Sequence, residues 1–70
     1  MQKLKIKGFQ HLENTMGSIE LIQTVVNKIH TTPIEQNHVI VYYSDEGMCI
    51  FEVIENTPKK LIVEFISTAS

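Results

Sequence analysis

The chain has 70 residues, a formal net charge of −2 and one cysteine, Cys49. So short a chain makes one domain at most and buries only about 60% of the surface its unfolded form exposes, so that small folds usually add a disulfide, a metal or a partner subunit. A lone cysteine excludes an internal disulfide and suits a reducing compartment. Six lysines, eight acids and no arginine exclude the arginine-rich basic surface by which most nucleic-acid binders hold phosphate and guanine.

The N-terminal stretch MQKLKIKGFQ carries lysines with no apolar run behind them, so it does not read as a signal peptide. Nowhere does the sequence approach the roughly 18 consecutive apolar residues of a membrane span. The expected compartment is the cytoplasm. The abundance of Ile, Lys, Asn and Glu suits an AT-rich bacterial or phage genome.

Lys3-Leu4-Lys5-Ile6-Lys7 alternates charged and apolar, the period-2 pattern of a half-buried strand, and Gly8 breaks it. Residues 9–17 read as a polar loop from which Phe9 and Leu12 fold back on the core. Over residues 18–30, Ile19, Leu21, Ile22, Val25, Val26 and Ile29 fall within an arc of about 160° at helical periodicity. Glu20, Gln23, Thr24, Asn27 and His30 fall outside it. Ser18 is placed to cap this helix, Glu20 suits its positive first turn, and Pro33 forbids a long continuation.

Three apolar runs follow, residues 39–43, 48–54 and 61–66, separated by turn-forming stretches, and short gaps of this kind predict an antiparallel meander. A three-residue loop Asp45-Glu46-Gly47, with glycine left-handed, pairs Val41 with Phe51 and Val39 with Val53. A loop Asn56-Thr57-Pro58 pairs Val53 with Leu61, and is preferred over a wider register because that register sets Glu52 against Glu64. One face then collects Val39, Val41, Tyr43, Cys49, Phe51, Val53, Leu61, Val63 and Phe65, which is the expected core. The opposite face collects Ile40, Tyr42, Ile50, Ile54, Ile62 and Ile66, interrupted by Glu52 and Glu64.

That second face departs from the apolar-inside, polar-outside pattern of a half-solvated sheet. One helix cannot cover both faces, and six such residues left open make an apolar patch on the order of 400–600 Å². The expectation is an interface with another protein, a second copy first among them. Lys3, Lys5 and Lys7 come within reach of Glu52 and Glu64 if the first strand joins the sheet edge.

The residues that carry chemistry form no site. His11, His30, His38 and Cys49 show no metal-ligand spacing, so no metal and no cofactor is expected. Glu52 and Glu64 lie on an open face without a cleft to exclude water, which favours solvated acids over an acid–base pair. Cys49 has no neighbouring base, and Gly8, Gly17 and Gly47 are too scattered to cradle a phosphate. The order helix–strand–strand–strand is similar to the opening of double-stranded RNA-binding domains, but a second helix with a lysine cluster is missing.

The predicted fold is a two-layer α+β domain over residues 1–70, one amphipathic helix on a mainly antiparallel sheet. Its order is β-α-β-β-β, with a C-terminal three-stranded meander and the first strand at an edge. The predicted function is that of a non-enzymatic protein-interaction module, a small regulator or inhibitor that binds a protein partner and self-associates through Ile40, Tyr42, Ile50, Ile54, Ile62 and Ile66. No contact with a membrane is expected. The competing reading is a nucleic-acid-binding or small-molecule-binding dimer whose site forms at the subunit interface, with Tyr42, Glu52 and Glu64 as its polar groups.

Overall fold

In the computed structural model, which describes residues 2–69, the alternating segment is strand β1 (Lys3–Lys7), with lysines exposed and Leu4 and Ile6 half-buried. The next stretch is not a loop as expected but a helix, α1 (Phe9–Met16). Leu12 and Met16, one turn apart, are both buried, while His11, Glu13, Asn14 and Thr15 face water. Gly8 and Gly17 bracket the helix in left-handed conformations, which glycine adopts at little cost, and the Gly17 amide donates to the Glu13 carbonyl at 3.0 Å. The order is therefore β-α-α-β-β-β, with two helices where one was predicted.

The second helix, α2 (Ile19–Ile29), follows the predicted periodicity. The Ser18 hydroxyl caps it, accepting from the Leu21 amide at 3.5 Å, and Glu20 and Lys28 stand in its first and last turns. Val25 and Ile29 are fully covered, and Leu21 and Ile22 pack against the core, whereas Ile19 at the open end is exposed. After the helix, the Thr31 and Thr32 amides donate to the Lys28 carbonyl. Gln36 and Asn37, both at positive φ, then make a tight turn whose flanks Glu35 and His38 exchange main-chain hydrogen bonds of 2.9 and 2.8 Å.

The sheet holds β2 (His38–Tyr42), β3 (Met48–Asn56) and β4 (Lys60–Ala69) in the order β1-β4-β3-β2. The β2–β3 and β3–β4 pairs are antiparallel, and β1 lies parallel to β4 at one edge, so the sheet is mixed. Tyr42 pairs with Met48 rather than Ser44 with Met48, which makes the first hairpin loop five residues long. The displacement from the predicted register is two residues, an even number, so every side chain keeps its face. Gly47 is not left-handed; it is required because the Tyr43 ring lies where a Cβ would sit, 2.6 Å away.

The second hairpin adopts the register that the sequence reading rejected, with Glu52 directly opposite Glu64. The tip sets Asn56 opposite Leu61, and the shift at Ile54 moves the pairing by one residue to bring Glu52 against Glu64. Thr57 and Lys60 close a turn around Pro58, with the Thr57 amide donating to the Lys60 carbonyl at 2.9 Å and the Lys60 amide to the Thr57 hydroxyl at 3.1 Å. The register of Glu52 on Glu64 also sets Phe51 against Phe65, ring centroids 5.6 Å apart, a contact that contributes about 0.5–1.5 kcal/mol beyond its buried area. Two carboxylates in water oppose this with no more than about 1 kcal/mol. Two register shifts then leave Ile54 on β3 and Ile66 on β4 as extra residues, each sharing with its successor a single partner, Ile62 and Ile50 respectively.

Both helices lie on one side of the sheet. Leu12, Met16, Val25 and Ile29 meet Val39, Val41, Cys49, Phe51, Leu61, Val63 and Phe65 in one core, with Leu4, Ile6, Tyr43 and Val53 packed around it. The nine predicted core-face positions are thus all buried or packed on this cluster. The Cys49 thiol lies 3.7 Å from the Met16 sulfur. Among the described residues, no helix is long and apolar enough to cross a membrane.

Candidate functional site

Among the described residues, the back face of the sheet carries no helix. Its side chains can be placed row by row from the strand registers. Nearest the β2–β3 loop, Tyr42 stands beside Met48 and Met48 beside Ala69. In the next row Ile40 stands beside Ile50, which faces Ser67 with Ile66 next to it. The third row is charged or titratable throughout: His38, Glu52, Glu64 and Lys7. Beyond it, Glu55 with Ile54 stands beside Ile62, and Ile62 beside Lys5; last comes Lys60 beside Lys3.

All six residues named from the sequence therefore share this face, but they do not form one patch. Ile40 is 38% exposed, Tyr42 61% and Ile66 46%, and with half-buried Ile50 and Met48 they make an apolar area at one end. Ile54, 46% exposed, and half-buried Ile62 lie on the far side of the charged row, among lysines. Met48 was missed as a member of the first group, although it lies at the same period as Ile50. The charged row was missed because it depends on two pairings, β1 with β4 and Glu52 with Glu64, that alternation within each strand does not specify.

Glu52 and Glu64 are both exposed on central strands. Among the described residues the ion pair present is Lys60–Glu55 at 3.2 Å, with both side chains well solvated, and such a pair contributes at most about 1 kcal/mol. Lys7 stands beside Glu64 in the register. The other candidate ligands are dispersed: His11 lies against the Phe65 ring, His30 caps α2, and His38 Nδ1 sits 3.0 Å from the Gln36 carbonyl. Among the described residues no three His, Cys, Asp or Glu side chains gather as a metal would need. Burial pushes the Cys49 thiol up from its ordinary 9.0 to about 11, which keeps it protonated and unreactive at neutral pH.

The β2 edge of the sheet is closed at half of its outward main-chain groups. Main-chain bonds join Val53 to Asn37 and Tyr43 to Gly47, so alternation turns the main-chain groups of His38, Ile40 and Tyr42 away from β3. Glu35 takes those of His38, and the Lys28 ammonium donates to the Tyr42 carbonyl at 2.8 Å. A shallow groove lined by Lys28, Thr31, Thr32, Ile40, Tyr42 and Ile50 runs along this edge and opens onto the apolar end of the back face.

No protein-family model, curated protein or solved structure matches the chain.

Proposed function

We propose that this protein is a non-enzymatic interaction module, a small regulator or inhibitor that meets another protein through the back face of its sheet, and that a second copy of the chain occupies that face. The observation that supports this reading is the exposure of Ile40, Tyr42 and Ile66 on a sheet face opposite both helices. Burying what remains exposed of each is worth roughly 1–2 kcal/mol. Tyr42 is the expected anchor, since aromatic residues dominate interface energetics.

The charged row decides where the contact centres. Two copies stacked centre on centre would enclose Glu52 and Glu64 of both, four carboxylates in a drying interface, at a cost of several kcal/mol per unpaired charge. A two-fold axis through the row of Ile40, Ile50 and Ile66 makes the apolar end self-complementary and leaves the acids at the rim. Ile54 and Ile62 then lie outside the contact. For acid–base chemistry the same face is poorly suited, because Glu52 and Glu64 open to bulk water.

Methyl NMR spectra recorded over a wide concentration range test this directly. The signals of Ile40, Ile50 and Ile66 should move with concentration while those of Ile54 and Ile62 hold still. Spectra that do not change with concentration would remove a second copy as the occupant.

A further inference from the structure

The two edges of the sheet are finished differently. Lys28 and Glu35 occupy three of the six outward main-chain groups of β2, and among the described residues both groups of Ile40 and the Tyr42 amide stay open there. On β1, the Lys3 amide donates to the Lys59 carbonyl at 2.9 Å, so in this parallel ladder Lys3, Lys5 and Lys7 direct their main-chain groups to β4. Leu4 and Ile6 direct theirs outward, and among the described residues nothing bonds to them there. The same register gathers charge. Lys3 stands beside Lys60 and is bonded to Lys59, and with Lys5 and Lys7 these make five of the six lysines of the chain at one corner. Lys60 has Glu55 and Lys7 has Glu64 beside it, but among the described residues the register sets Lys3 beside Lys60 and Lys5 beside Ile62.

We infer that the β1 edge receives an extended acidic segment of another protein, which adds to the sheet as a fifth strand. Lysines on an edge strand deter pairing with a second copy, because two β1 strands would oppose six lysines. They attract a strand that carries acids at alternate positions. Lys3, Lys5 and Lys7 recur about every 6.6 Å along one face, the spacing at which alternate residues of an incoming strand present their side chains. Such a strand also supplies the main-chain donors and acceptors that Leu4 and Ile6 leave open. A nucleic acid has no such ladder to offer, and the corner has no arginine to grip phosphate. This inference rests on the protein-binding reading above but uses a different surface from the back face.

The test uses the full chain, a synthetic peptide alternating Glu and Val, the same peptide with Gln for Glu, and a mixed-sequence single-stranded DNA. The Glu peptide should bind and slow hydrogen exchange at the amides of Leu4 and Ile6. Replacing its acids, or making the double substitution Lys3→Glu/Lys5→Glu, should weaken binding by about tenfold or more. No binding, binding that leaves those two amides unprotected, or protection at Ile40 and Tyr42 instead would overturn the inference. DNA binding that is sensitive to the double substitution, with no effect of the peptide, would overturn it in favour of a phosphate backbone. Ile40→Glu should leave peptide affinity unchanged, and Lys3→Glu/Lys5→Glu should leave self-association unchanged, so failure of either reading is separable from failure of the other.

Discussion

Cys49 illustrates how one buried side chain sets a pH dependence. Fully covered beside Met16, it holds its proton to about pH 11 in the folded chain, whereas an exposed thiol releases it near 9.0. Between those values the unfolded state binds fewer protons than the folded one, so stability falls as pH rises. The loss should reach roughly 2–3 kcal/mol across this window. Urea unfolding at closely spaced pH values checks it: wild type should lose stability from about pH 9 to 11 by more than Cys49→Ala does over the same range. Gly47 makes a second point at this scale. Its Cβ would meet Tyr43 ring carbons at 2.6 Å and the Ser44 hydroxyl at 2.8 Å, and Tyr43 is packed on the core. Gly47→Ala should therefore cost about 1–3 kcal/mol, measured as a lower denaturation midpoint, and should cost less when made in a Tyr43→Ala background.

At the level of elements, what could be read from the sequence depended on how many residues voted. The strand of alternating lysines and helix α2 were legible because each carries a period through every position. Helix α1 was not, since in eight residues it buries only Leu12 and Met16, and His11, Asn14 and Thr15 favour helix weakly. The available signal was the pair Leu12 and Met16 at i, i+4 followed by Gly17 in the capping position. Leu12→Ala should thus destabilise the whole fold by about 2–5 kcal/mol, as a core residue would and a loop residue would not. The register of β3 on β4 was missed for another reason: repulsion between Glu52 and Glu64 was weighed without the pairing of Phe51 with Phe65, which prevails because both acids are solvated. The basic corner requires β1 to lie parallel to β4, a pairing of residues more than fifty positions apart, which no local pattern encodes. The partial closure of the β2 edge likewise needs Lys28 and Tyr42 brought together from separate elements. Lys28→Ala should reopen the Tyr42 carbonyl and increase aggregation on storage, measured by light scattering, with little change in the unfolding midpoint.

For the whole molecule, the balance is that of a small fold with one good core and one unfinished face. Its apolar end is smaller than the roughly 800 Å² per partner of a standard interface, so the expected dimer is weak and its population changes over ordinary working concentrations. Charge is also unevenly spread behind the modest net −2: lysines crowd the corner of β1 and the start of β4, whereas Asp45 and Glu46 occupy the β2–β3 loop at the far end of the sheet. An apolar partner is accordingly proposed for one surface and an acidic one for the other. The most direct test of the central claim is sedimentation equilibrium over a wide concentration range, run on wild type, Ile66→Glu and Ile62→Glu. The expected result is a reversible monomer–dimer equilibrium for wild type and Ile62→Glu, and a monomer throughout for Ile66→Glu. A wild-type monomer at every concentration, or a dimer that survives Ile66→Glu, would contradict the assignment of the Ile40–Ile50–Ile66 end of the sheet as the face on which two copies meet.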